Sequence, residues 1–259
     1  MRGKPSRRIV LLGASNLTRG ISTAVETARL TWQEPLAILA ALGHGRSYGM
    51  ASSVVGRQLP GITECGLWGA LRAMPSAPTA AVVTDVGNDL LYGATIEQIV
   101  TWVETCLDRL EHMGATVIMT GLPVENLQDL PRARFSLLRS LFFPNSQLGF
   151  DQVMGLTEDL NVRLKSIADD RRLPHVQPYP GWYGFDPIHI KMRYWPVAWQ
   201  KILGNWQCQE RERPLARGSL FRWLFLRSLV PETRRIIGLQ QRCQQPAGQL
   251  GDGTTIAFY

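Results

Sequence analysis

Arg8-Ile9-Val10-Leu11-Leu12-Gly13-Ala14-Ser15-Asn16 is the stretch whose reading decides the fold. Residues 8–12 form an apolar run of strand length, Gly13 and Ala14 make a tight turn, and residues 18–32 have helical spacing. The unit is therefore strand, turn, helix, with Ser15 at the junction. Outward from it, residues 36–42, 80–86, 115–120 and the weaker 175–177 read as further strands. Residues 63–73, 95–112, 155–171 and 193–206 read as helices, with Gly114 a stop for 95–112. Strands that are apolar throughout and alternate with helices belong to sheets buried on both faces. The expectation is an α/β fold: a flavodoxin-like, three-layer α/β/α sandwich around a doubly wound parallel five-stranded sheet, with ligands at the carboxyl ends of the strands.

Three further motifs fall at or near such ends: Gly43-His44-Gly45-Arg46-Ser47, Gly87-Asn88-Asp89 and Asp186-Pro187-Ile188-His189. With Ser15 they supply the parts of a serine hydrolase. Ser15 at a helix amino terminus could attack, and His189 could take its proton. Asp186, three residues away across a proline-fixed turn, could orient the imidazole. Asn88 offers an uncharged amide donor, and the backbone amides of Ser15 and Gly45 could complete an oxyanion hole. Each motif also has a plain structural reading. Ser15 could be a helix cap, Gly43 to Gly45 and Gly87 to Asp89 ordinary turns, and Asp186 an N-cap with Pro187 at the first helical position. His44 could contact substrate or serve as a second base, whereas His112 and His175 are poorly placed. A dinucleotide-binding turn is disfavoured, because the Gly-x-Gly-x-x-Gly spacing and a Tyr-x-x-x-Lys pair are missing.

Taken together, Ser15, Gly45, Asn88 and the Asp186/His189 pair make residues 8–206 resemble the SGNH, or GDSL-type, hydrolases. The order of the four blocks is far more specific than any block alone. The resemblance implies hydrolysis of an ester or thioester through an acyl-enzyme, without metal or cofactor, on a small-molecule, lipid or carbohydrate ester. One departure is plain: Ala14 stands where the family often has the Asp of Gly-Asp-Ser, so a supporting hydrogen bond would be absent or supplied by Asn16. Gly43 and Gly49 compete with Gly45 for the glycine block. The alternative is a catalytically inactive relative that acts as a binding or interaction module.

At 259 residues and 45% hydrophobic composition, the chain can bury one substantial core. It divides on paper into a basic arm (1–7), a catalytic domain (8–206) and a basic extension (207–259), partly helical and then disordered, above all at 246–253. The formal charge of +7 is concentrated in that extension, which holds eight arginines against four acids. Residues 218–230 form a basic amphipathic stretch that could pack on its own domain, self-associate, or contact an anionic membrane surface. Nucleic-acid binding is not expected, since no recognisable module surrounds the arginines. Residues 122–150, with Pro123, Pro131 and Pro144 and an apolar cluster of Phe135, Leu137, Leu138, Leu141, Phe142 and Phe143, read as a loop-and-helix cap. It could line an acyl or aromatic pocket, or merely pack. Cys65, Cys106, Cys208 and Cys243 lack paired spacing, and the apolar run after the basic arm is too short for a signal peptide. A cytoplasmic location is the expectation.

Overall fold

The computed structural model describes residues 4–54, 56–128, 130–142, 147–206, 215–216 and 218–259. Met1 to Gly3, Phe143, Pro144 and Cys208 lie outside the described residues, as do the side chains of Leu138, Leu141 and Phe142.

The chain runs β1 (Arg7–Leu12), α1 (Ser15–Trp32), β2 (Leu36–Ala41), β3 (Ser52–Val54), β4 (Arg57–Leu59), α2 (Leu67–Ala73) and β5 (Thr79–Val83). It continues through α3 (Asn88–Leu91), α4 (Ile96–Glu111), β6 (Thr116–Thr120), α5 (Val124–Gln128), α6 (Arg132–Phe142), α7 (Phe150–Asp170) and β7 (His175–Val176). Last come α8 (Trp195–Leu203), α9 (Leu220–Ser228), β8 (Thr233–Ile236), β9 (Leu239–Arg242), β10 (Gly248–Gln249) and β11 (Thr255–Phe258). All five strands expected from the sequence are present and parallel.

β1 lies between β2 and β5 with helices packed on both faces, so neither face meets water and its apolar run has no polar alternation. Its side chains divide between two layers. Val10 and Leu12 pack with Leu67, Trp68, Val103, Leu107 and Leu164 of α2, α4 and α7. Ile9 and Leu11 pack with Leu17, Ile21, Trp199 and Ile202 of α1 and α8. Each such buried side chain stabilises the sandwich by about 1.5–3 kcal/mol relative to exposure. α1 and α8 approach closely because of Gly20, where a Cβ would lie 2.3 Å from the indole nitrogen of Trp199. α4 starts at a reciprocal capping box between Thr95 and Gln98, and Gly114 follows it with φ +68°.

The sheet corrects two expectations. Its order is β10-β11-β2-β1-β5-β6-β7, so it has seven strands rather than five. The two extra strands come from the extension, and residues 246–253 are ordered rather than disordered. β11 pairs in parallel with β2, and β10 turns back antiparallel on β11. Arg29 of α1 holds Asp252 at 2.8 Å, while Thr254 Oγ1 accepts the amide of Leu36 at 3.2 Å. A terminal Thr-Ile-Ala-Phe segment is short and weakly patterned alone, but it covers an apolar edge of β2 that would otherwise be open. β8 and β9 form a hairpin that joins β3 and β4 in a separate four-stranded antiparallel sheet. Among the described residues, no helix is long and apolar enough to cross a membrane.

Candidate active site

Ser15 is the first residue of α1, at the carboxyl end of the central strand, and is nearly buried. The helix start is capped from a distance. Asp85, just past the end of β5, accepts the backbone amides of Ala14 at 2.9 Å and Leu17 at 3.1 Å through one carboxylate oxygen. Its other oxygen accepts the side-chain amide of Asn16 at 3.0 Å. A carboxylate at a helix amino terminus satisfies orphan donors and interacts favourably with the dipole. Asp85 reaches this position with φ +60°, a conformation that costs a non-glycine residue about 1 kcal/mol or more. Ala14 therefore has its missing carboxylate replaced from another strand.

Asn16 ties this turn to the histidine segment. Its Nδ2 also donates to the Ile188 carbonyl at 2.9 Å, and its Oδ1 accepts the Ile190 amide at 2.8 Å. The two bonds clamp the backbone on either side of His189, which is 8% exposed. The His189 Nδ1 bonds Asp186 Oδ2 at 2.5 Å, which leaves Nε2 on the opposite edge of the ring. Asp186 Oδ1 accepts the amides of Ile188 and His189, both at 3.2 Å, and Arg19 lies 3.7 Å from Oδ2. Burial pushes the Asp186 carboxyl up, but the His189 hydrogen bond and charge, the Ile188 amide and Arg19 outweigh it and hold the group below its usual range. Asp186 is thus anionic and locked against the imidazole.

Asn88 opens α3, and its Nδ2 is buried with no hydrogen-bond partner among the described residues. Asn88 and Ser15 line the same cavity, of about 130 Å³, whose remaining wall is mostly apolar and includes Leu90, Leu127, Phe135 and Trp182. Leu127 and Phe135 come from α5 and α6, so the proline-rich insertion lines this cavity rather than packing elsewhere. Asp89 has a structural task. It accepts from Ser47 Oγ and from the Tyr48 amide, which binds the Gly43–Gly49 loop to α3. Its burial raises the carboxyl to about 6 against those hydrogen bonds.

Gly45 has φ +60°, and a Cβ there would meet the Tyr92 hydroxyl at 2.6 Å. Its carbonyl accepts from that hydroxyl at 2.5 Å. Gly45 does not line the cavity that contains Ser15 and Asn88, and neither Gly43 nor Gly49 does. His44 lies instead in a second cavity, of about 540 Å³, together with Arg19, Asp186, His189, Trp223 and Arg227. The structure thus brings Ser15 together with Asn88 and Asp186 together with His189, and joins the two groups through Asn16. Among the described residues, no group of three His, Cys, Asp or Glu side chains could hold a metal ion.

The sequence reading passed over Asp85 as the end of a strand. Its only signal was a carboxylate directly after an apolar run, in a chain lacking the expected one at position 14.

No family model and no curated protein matches the chain. Solved structures do. The M. smegmatis aryl esterase aligns over 77% of this chain and 100% of its own, with 13% identity and a TM-score of 0.51. An acetyl xylan esterase aligns over 76% of this chain and 98% of its own, with 10% identity and a TM-score of 0.51. At these identities the likeness concerns backbone architecture, and at that level the chain shares the α/β fold of these two esterases, as expected from its strand and helix pattern.

Proposed function

We propose that this protein is a serine hydrolase that cleaves a carboxylic ester or thioester through an acyl-enzyme. Ser15 Oγ attacks the carbonyl carbon while His189 Nε2 takes its proton, and Asp186 stabilises the resulting imidazolium. The carbonyl π electrons move onto oxygen. Collapse of the tetrahedral intermediate breaks the bond to the leaving oxygen or sulfur, which receives the proton from His189. Water then repeats the sequence, releasing the acid and restoring Ser15.

One observation carries this reading: the buried, unpartnered Asn88 amide beside Ser15. A native structure rarely buries a donor without an acceptor, because the lost hydration costs about 1–3 kcal/mol. A donor that meets its acceptor only when an oxyanion forms stabilises the transition state more than the ground state. The amide of Ser15 is the second donor, at the amino terminus of an 18-residue helix. For Gly45 the sequence expectation of a third donor lacks support, since its carbonyl is fixed on Tyr92 outside the Ser15 cavity. The apolar cavity suits the acyl part of the ester.

The test is fluorophosphonate labelling with peptide mapping, on the native protein and on Ser15→Ala. Labelling at Ser15 that the variant abolishes is the expected result. A folded native protein that stays unlabelled while a control esterase reacts would sink the proposal and favour a binding module on the same fold.

A further inference from the structure

The two cavities at the site differ sharply in chemistry. The one containing Ser15 and Asn88 is apolar. The one containing His189 is basic: Arg19 comes from α1, Lys191 from the segment after His189 and Arg227 from α9, with His44 of the glycine loop beside them. Asp186 is its only acid among the described residues, and that carboxylate is already committed to His189 and Arg19.

The placement of Arg227 is enforced. Ser219 caps α9, Trp223 Nε1 donates to the Arg19 carbonyl at 3.2 Å, Arg222 pairs with Glu26, and Leu226 is buried. Arg227 itself lies over the Trp223 ring and reaches His44 Nε2 at 3.4 Å, with no described carboxylate in ion-pair range. Burial, then the charges of Arg227, Arg57, Arg19 and His189, hold His44 down at about 4, so it is neutral and accepts from Arg227. Burial and the charges of Arg234, Arg46 and Arg227 also depress Arg57. These cations repel one another, which disfavours the empty site and favours an anion in it.

His189 must protonate the leaving atom, so the leaving group has to be on the side of the site that His189 lines. We infer, resting on the serine-hydrolase reading above, that the second cavity receives the leaving-group half of the ester and selects an alcohol or thiol bearing a phosphate group, held by Arg227 of α9 with Arg19 and His44. The extension beyond residue 206 thereby becomes part of the specificity apparatus. The substrate is amphipathic: apolar in its acyl half and phosphorylated in the half that departs.

The experiment compares kcat/KM for butyryl-glycerol 3-phosphate and monobutyrylglycerol, which share the acyl group and differ in the phosphate. The expected preference for the phosphate ester at low ionic strength is about tenfold or more, falling with added salt. Arg227→Gln should lower that ratio about tenfold, and Arg227→Lys should restore part of it, which separates lost charge from lost folding. A palmitoyl-glycerol 3-phosphate arm in detergent micelles distinguishes the source. A preference seen only there assigns the phosphate to a lipid headgroup, and one seen with butyryl as well assigns it to a soluble ester.

Binding of glycerol 3-phosphate to Ser15→Ala, followed by calorimetry, does not depend on turnover. Equal rates on the two butyryl esters together with no calorimetric binding overturn the inference. Binding that Arg227→Gln abolishes, in a protein that hydrolyses neither ester, would sink the hydrolase reading and leave the phosphate site standing. Neither turnover nor binding would reject both.

Discussion

The carboxylate of Asp85 accepts the side-chain amide of Asn16 at 3.0 Å, across 69 residues of chain. This bond, with those from Asn16 to Ile188 and Ile190, holds the end of β5, the start of α1 and the segment around His189 in a single register. Asp85→Ala removes two helix-capping bonds and the Asn16 anchor. It should lower unfolding free energy by about 2 kcal/mol and kcat/KM at least about tenfold. Urea unfolding and ester kinetics would check this, and a variant as stable as the parent would refute the capping role.

Asn88 offers a sharper separation of activity from stability. Asn88→Ala should lower kcat by about 10²–10³-fold, as loss of one oxyanion donor does elsewhere. Its unfolding free energy should stay level or rise, because the substitution removes a buried donor that has no partner. A loss of activity accompanied by a loss of several kcal/mol would mean that Asn88 supports the fold instead.

For Asp186 the expectation concerns the tautomer of His189. Asp186→Asn keeps the shape of the side chain, but its amide can donate to Nδ1 and thereby move the imidazole proton to Nε2, where a base needs its lone pair. kcat should fall by about 10⁴-fold with little change in KM. Activity within tenfold of the parent would exclude Asp186 as the orienting group.

The Asp89 carboxyl gives a pH signature in stability. Its native pKa, raised to about 6 by burial, exceeds that of an unfolded aspartate near about 4. Between those values the native state holds a proton that the unfolded chain has released. Unfolding free energy should therefore fall as pH rises through about 4 to 6, by up to about 3 kcal/mol, and level off above. Asp89→Asn should flatten this stretch of the curve. An unchanged slope in denaturant unfolding across that window would contradict the assignment.

Gly20→Ala tests the packing of α1 on α8. The added methyl would fall 2.3 Å from the Trp199 indole nitrogen in a closed core. Overpacking of this kind costs about 1–3 kcal/mol. A variant that is stabilised by the better helix propensity of alanine would show that the two helices separate freely.

The candidate site residues were legible because each of their blocks is local. Ser15 after Gly13-Ala14, Asn88 after a strand, and Asp186 three residues from His189 are read from neighbours in the chain. The Asp186/His189 hydrogen bond needs only the turn that Pro187 sets. Gly45 was the weak member, since three glycines within seven residues have the same local signature, and what each backbone packs against, Leu59 at Gly43, Tyr92 and Val54 at Gly45 and Trp102 at Gly49, is set by distant segments.

The sequence by itself determined the parallel sandwich, because a strand buried on both faces must be apolar throughout and the helices between strands carry their own periodicity. It also placed Ser15, Asn88, Asp186 and His189 in turns beside or beyond the strand ends. Only the tertiary structure decided what covers the edge of β2, what replaces the carboxylate missing at Ala14, and what walls the cavity beside His189. Those three answers are β11, Asp85 and Arg227. Each arrives from a segment tens to hundreds of residues away. Such a contact leaves no periodicity in the chain, since it is set by the packing of whole elements and not by the conformational preference of its own neighbours.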